Sequence, residues 1–168
     1  MPDEFEDPEG SDNLDEPPAF FPYEGNDIER RPNSMGELVE VQIEGVFGAE
    51  SNGQTSRFVL VSDGMRKLPI LIGPFEAQAI FLVLDNSRPD RPMTHDLIRN
   101  ILDRLDVTLD RVVIDDFWNG IYYAKLYLRQ GDKEFEIDSR PSDAIALAVR
   151  FEAPVLVAEG ILESGIDE

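Results

Sequence analysis

A chain of 168 residues with 42% hydrophobic and 30% charged side chains fits one globular domain with extra polar chain, and leaves no room for two full cores. Thirty-five acidic against fifteen basic residues give a formal charge of −20, which excludes nucleic-acid binding through a general basic surface; any such activity must be local. The absence of cysteine removes thiol nucleophiles, no apolar run approaches the roughly 20 residues of a membrane span, and the acidic, proline-bearing start is not a secretory signal, so a soluble cytoplasmic protein is expected.

Residues 1–33 hold eleven Asp and Glu, two Arg and six of the twelve prolines, a net charge of −9. Their few large apolar residues cannot offset the entropy of ordering, so a disordered acidic tail is expected, either as a solubilising segment or as a docking arm built on Phe20, Phe21 and Tyr23. The remaining 135 residues, 34–168, form the folded domain and keep a charge of −11.

Strand-like patterning runs over 38–47, a polar loop holds Asn52 and Gly53, and a second apolar run covers 57–61. Asp63-Gly64 reads as a hairpin turn, a third strand covers about 68–72, and Gly73-Pro74 opens a helix that Asp85, Asn86 and Ser87 end after Leu84. Thr94 is placed to cap the next helix, with Leu97, Ile98, Ile101, Leu102 and Leu105 on one side of its wheel. The first order then returns: strands over 107–114 and 121–128, a turn at Gln130-Gly131-Asp132, a strand over 135–138, and a helix from Pro141-Ser142.

At a constant offset of 67 residues, Gly64 matches Gly131, Ile70 matches Ile137, Pro74 matches Pro141, Glu76 matches Asp143 and Ala77 matches Ala144. Duplication of a three-strand-plus-helix unit explains this, and so does shared patterning alone. The fold class is α+β, a mainly antiparallel sheet with helices. The two helices at 75–84 and 144–151 are apolar nearly all round, which places them between sheet and neighbours or at a subunit interface.

Neither G-x-G-x-x-G, G-x-x-x-x-G-K-[ST] nor H-E-x-x-H occurs, so no nucleotide cofactor and no zinc-protease site is expected. One histidine cannot complete a multi-His metal cluster, and no lysine follows an acidic residue at a spacing of two, which removes one restriction-like nuclease class. Two dense polar clusters remain. In the first, residues 88–96, prolines stiffen a loop whose Arg88 and Arg91 suit an anion at a helix start. His95 there could serve as a general base or metal ligand, or could be a structural histidine beside a cap, with Asp96 complementing the dipole and pairing with Arg99.

In the second, residues 138–143, Asp138 ends a strand, Arg140 follows, Ser142 is placed as a cap and Asp143 lies in the first helical turn. Charges so near an apolar helix need partners. Either Arg140 neutralises the carboxylates, or Asp138 and Asp143, with Glu76 from the other half, hold a divalent ion such as Mg²⁺ or Mn²⁺. Trp118, Tyr122, Tyr123 and Tyr127 could stack bases or simply pack, and Glu134, Glu136 and Asp138 make one strand face acidic.

The strings R-P-M-T-H-D-L (91–97), I-D-S-R-P-S-D-A-I-A-L-A (137–148), I-G-P-F-E-A (72–77) and A-P-V-L-V-A-E (153–159) resemble the bifunctional nuclease domain family over about residues 38–162. The resemblance implies a small α+β domain, often oligomeric, with DNA and RNA cleavage ascribed to plant members, and it carries over to Glu76, His95, Asp96, Asp138, Arg140, Ser142 and Asp143. Joined to the residue reading, it leads to metal-assisted phosphodiester hydrolysis. Glu76, Asp138 and Asp143 hold the ion, His95 moves a proton, and Arg91, Arg140 and Ser142 hold the nucleic-acid substrate. Asp96 is counted with the catalytic residues although it points away from the stripe that holds His95 and need not act with it. A homo-oligomer is expected. The alternative is a non-catalytic oligomeric binding or assembly module, in which the same residues are salt bridges and caps.

Overall fold

The structure is a computed structural model that describes residues 35–164, so the expected acidic tail lies outside the described residues. Three antiparallel strands come first, β1 (Leu38–Ser51), β2 (Gln54–Ser62) and β3 (Lys67–Ile72). Asn52 and Gly53, both at positive φ, close the β1–β2 hairpin as a two-residue loop between the paired Ser51 and Gln54, the turn that matches the twist of the strands it joins. The β2–β3 link is longer than a two-residue turn. There Asp63 Oδ1 accepts the N–H groups of Met65 (2.9 Å) and Arg66 (2.7 Å), while the Arg66 Nε–H donates to Oδ2 at 2.8 Å. The backbone donors, then the guanidinium, hold the Asp63 carboxyl at about 2.

Helix α1 (Pro74–Leu84) starts on a proline at its first position, where a missing N–H costs nothing. After α2 (Thr94–Arg104) the succession repeats as β4 (Thr108–Trp118), β5 (Ile121–Gln130), β6 (Lys133–Ser139) and α3 (Pro141–Phe151), again with a leading proline. The chain then adds β7 (Val155–Ala158) and α4 (Glu159–Ser164).

One seven-stranded sheet results, in the order β3-β2-β1-β7-β4-β5-β6. The class is α+β with a mostly antiparallel sheet, as expected from the alternation of strand triplets and helices. β7, not anticipated among the strands, sits at the centre, antiparallel to β1 and parallel to β4, with Val155 opposite both Val41 and Val112. It joins the two meanders. Helix α1 packs on β1 and β2, α3 packs on β4 and β5, and the two helices pack on each other, so that Val59, Val61, Ile70, Ile80, Val112, Ile114, Ile145, Leu147 and Val157 form one core.

Two capping expectations are corrected. Thr94 is the first residue of α2 rather than its cap; the start is closed by the Asp96 carboxylate, whose Oδ2 accepts the Met93 N–H at 2.9 Å. Ser142 lies inside α3, whose cap position is Arg140, and it is buried. The two apolar helices also differ in environment. All of α3 between Ala144 and Ala148 is buried, whereas α1 turns Phe75, Gln78 and Phe81 to solvent, with Phe75 80% exposed.

Among the described residues no helix is long and apolar enough to cross a membrane. The acidic row on β6 is partly matched by cations from neighbouring strands: Arg111 reaches Glu134 at 3.4 Å, and Lys125 lies between the buried Asp115 and Glu136. Tyr127 packs beneath the Arg111 guanidinium, 3.9 Å from the ring centre, and Tyr122 lies against Phe117 at 4.5 Å.

Candidate active site

The helix layer brings three distant segments together. Asp143, in the first turn of α3, receives the ring of His95 from α2, with Nε2 3.0 Å from Oδ1. Its other oxygen accepts the Arg140 Nε–H at 2.8 Å, and an Arg140 terminal nitrogen lies 3.1 Å from Glu76 Oε1 in the first turn of α1. The result is a continuous chain, His95–Asp143–Arg140–Glu76, across the starts of three helices. His95 is nearly buried, whereas the Arg140 side chain is 65% exposed, so the cluster opens to solvent at the guanidinium.

The electrostatics follow from these contacts. The His95 hydrogen bond is the largest influence holding the Asp143 carboxyl down at about 2; desolvation opposes it, and Arg140 adds to the lowering through a hydrogen bond and its charge. Arg140 is raised in turn by its bond to Asp143 and the nearby charge of Glu76. With Nε2–H donating to a carboxylate, the neutral ring carries its lone pair on Nδ1.

Asp96 does a different job from its neighbour. Its Oδ1 accepts the Nε–H of Arg150 at 2.7 Å, and an Arg150 terminal nitrogen donates to the carbonyls of Ala79 (2.9 Å) and Ala146 (2.8 Å). Only 3% of the Arg150 side chain is exposed, and it bonds to all three helices at once. Burial alone would raise the Asp96 carboxyl; the Met93 N–H and Arg150 more than reverse that and lower it. The expected Asp96–Arg99 pair does not form, since Arg99 instead approaches Asp103 at 3.6 Å and lies over the Phe151 ring.

Sequence reasoning missed Arg150. The available signal was an arginine late in a largely apolar helix, with Leu147 and Ala146 three and four residues earlier and hence no acidic partner one turn back.

The remaining predicted residues are not in the cluster. Asp138 is exposed on β6, with neither hydrogen bond nor ion pair to the other four. Arg91 is exposed in the loop before α2, and Ser142, next to Asp143 in the chain, is buried. Among the described residues no group of three or more His, Asp or Glu side chains is arranged to hold a metal ion. Glu76 and Asp143 are bridged by a guanidinium where a coordination shell would need both sets of oxygens free.

Half-buried carboxylates, a nearly buried histidine and an arginine thus meet at the helix starts of a small α+β domain. A sequence model of the bifunctional nuclease domain matches residues 58–166, and the chain belongs to that family. A Mycobacterium tuberculosis (strain H37Rv) protein described as uncharacterized is 37% identical over 123 residues, covering 73% of each chain. Bifunctional nuclease 1 of Oryza sativa subsp. japonica and bifunctional nuclease 2 of Arabidopsis thaliana are each 30% identical over 93 residues, which is 54% of this chain and 28% of the plant proteins.

Proposed function

We propose that this domain hydrolyses phosphodiester bonds in DNA or RNA at the His95–Asp143–Arg140–Glu76 cluster. The observation that carries the reading is the His95–Asp143 contact. A carboxylate that stays ionised down to about pH 2 fixes the ring through Nε2 and leaves Nδ1 to take a proton from an attacking water. Arg140 keeps its exposed guanidinium edge for a phosphate oxygen, and the starts of α1 and α3 add backbone N–H groups of the same polarity. Glu76 holds Arg140 from the far side. Arg91 is the second arginine within the loop that leads to His95 and is the proposed outer contact for the nucleic-acid backbone.

The hydrolytic reading rests on the chain's own groups. The Mg²⁺ or Mn²⁺ expected from the sequence is proposed as an ion that arrives with substrate. The family match and the plant relatives' names support a nucleic-acid substrate.

A second reading has its own support: every carboxylate in the cluster is already paired, as a salt-bridged clamp for three helices in an assembly module requires. Cleavage of labelled single- and double-stranded DNA and RNA, with Mg²⁺, Mn²⁺ or chelator, separates the two. The hydrolytic reading expects cleavage that falls roughly 100-fold or more in a folded His95→Ala variant. Equal cleavage by wild type and His95→Ala, or none by either with any ion, overturns it in favour of the clamp.

A further inference from the structure

Helix α2 carries the single histidine, yet little apolar packing fixes how that helix lies. His95 is its most buried residue, Ile98 and Leu102 are half-buried, and Leu97 and Ile101 are about half exposed. Apolar burial has no direction, so such a face sets neither the rotation of α2 nor its register on α3 to the tolerance of a hydrogen bond. Further along, α2 is held at exposed groups: the Arg99 guanidinium lies 5.5 Å from the centre of the Phe151 ring, and the Gln130 amide donates to the Leu105 carbonyl at 2.8 Å. The buried, directional contacts lie at its start.

Two ties hold that start. His95 Nε2 lies 3.0 Å from Asp143 Oδ1, and Asp96 Oδ1 accepts the Arg150 Nε–H at 2.7 Å. Asp143 and Arg150 are seven residues apart in α3, so they stand on one face, separated by about 10 Å along the axis. Adjacent residues of α2 therefore reach two points on α3 that are two turns apart. On the first tie alone, α2 can swivel about the His95 ring. With both, a swivel carries Asp96 away from a guanidinium that is only 3% exposed and leaves that buried charge unpaired. Neither end of the second tie yields easily: the other Asp96 oxygen closes the helix start on the Met93 N–H at 2.9 Å, and Arg150 also donates to the carbonyls of Ala79 in α1 and Ala146 in α3.

We infer that Arg150 is a positioning residue of the candidate site: through Asp96 it locks the first turn of α2 at the angle where the His95 ring gives Nε2 to Asp143 and keeps Nδ1 for substrate. Its consequence for cleavage rests on the hydrolytic reading, whereas the placement of the ring does not. Arg150 makes its bonds to Asp96, Ala79 and Ala146 and none to the four residues of the cluster, so it acts through Asp96. An arginine that only stabilised the fold would change the amount of folded protein and leave the ring where it is. Lysine at position 150 keeps the charge but offers a point donor in place of the fork that spans Asp96 and two carbonyls. Asparagine at position 96 keeps an oxygen for the Met93 N–H and removes the charge that Arg150 meets.

The single histidine makes the placement visible. Full-length protein labelled with ¹⁵N-histidine gives one ring spin system, and at a pH that keeps the ring neutral the wild type shows the tautomer protonated on Nε2. In Arg150→Lys and Asp96→Asn, each folded by circular dichroism, the two ring nitrogen signals move towards each other as the tautomers mix. Cleavage in these variants loses about 10- to 100-fold in kcat, with KM within about two-fold of wild type. Val157→Ala, a core truncation on β7, is the control for lost stability alone, and its folded protein keeps the wild-type ring signals. Should Arg150→Lys fail to fold, Asp96→Asn, at a side chain 30% exposed, carries the test. Ring signals in the folded variants that match wild type overturn the inference whatever happens to cleavage, and so does an equal movement in Val157→Ala. A wild type that cleaves nothing overturns the hydrolytic reading instead, and the ring signals then decide the placement by themselves.

Discussion

The two meander-and-helix halves share a plan and divide the labour unequally. Where α1 begins on Gly73 and Glu76, α3 begins on Arg140 and Asp143, 67 residues on; where α1 carries Val83, α3 carries Arg150. Arg140 serves both first-turn carboxylates from one side. A methyl group on Gly73 would overlap the Glu76 carboxylate, which curls back over that bare backbone. Helix α2 then packs on α3 and brings the single histidine there. Similar scaffolds thus support a polar, buried centre in one half and an open apolar helix in the other, and the difference lies in a few side chains at matching positions.

The sharpest way to break this comparison is at position 150. Arg150→Ala removes a buried cation and leaves Asp96 and two backbone carbonyls short of a donor, so it should cost about 3 kcal/mol in urea unfolding. Val83→Ala, at the matching place in α1, removes half-buried methyl groups and should cost about 1 kcal/mol. Equal losses would show that Arg150 is packing like any other residue and does not tie the helices together.

A smaller effect separates the two first-turn acids. The folded Asp143 carboxyl is lowered from 3.8 to about 2, so its stabilising contribution is fully present above the unfolded value and is lost as pH falls through about 2. Screening at this half-exposed position reduces the contribution to about 1–2 kcal/mol. Asp143→Asn should flatten the fall in stability between pH 4 and pH 2 relative to wild type, while Glu76→Gln, which meets only an exposed guanidinium, should change stability by less than about 1 kcal/mol. Asp63 is lowered to a similar value and contributes to the acid sensitivity of both proteins, so the difference between them isolates Asp143. The sole histidine gives a parallel readout: its ring ¹⁵N signals should move in Asp143→Asn and stay in Glu76→Gln.

Much of the fold could be read from local signals, and the failures have a common cause. The starts of α1 and α3 follow from a proline at the first helical position, and the end of α1 from Asp85, Asn86 and Ser87, all local features. Asn52-Gly53, expected only as a polar loop, closes a two-residue hairpin, whereas the link expected as a tight turn at Asp63-Gly64 spans residues 63–66. β7 escaped because four apolar residues after Pro154 show no alternation, and their strand character comes from pairing with β1 and β4 far away in sequence. In the site, His95, Asp143, Arg140 and Glu76 were all singled out, since charged groups beside apolar helices need partners. Arg140 as the partner of the carboxylates was one of two readings offered, and it forms; the His95–Asp143 pairing was not foreseen, because α2 could have lain against either helix. That Asp96 and His95 need not act together was legible, since consecutive helical residues point about 100° apart; one faces Asp143 and the other faces Arg150.

Asp138 is the smallest and most discriminating case. It was chosen because it precedes Arg140 and Asp143 closely, but strand and helix geometry separate it from them, and its counterpart 67 residues earlier is the exposed Leu71. An exposed carboxylate with no partner among the described residues contributes within about 0.5 kcal/mol, so Asp138→Asn should leave the urea midpoint unchanged. Its effect on cleavage then carries the information. Unchanged cleavage confines the chemistry to the four residues across the helix starts. A loss of roughly ten-fold or more without loss of stability would extend the site onto β6, and would mean that substrate, or an ion arriving with it, draws Asp138 into a cluster from which the free protein keeps it apart.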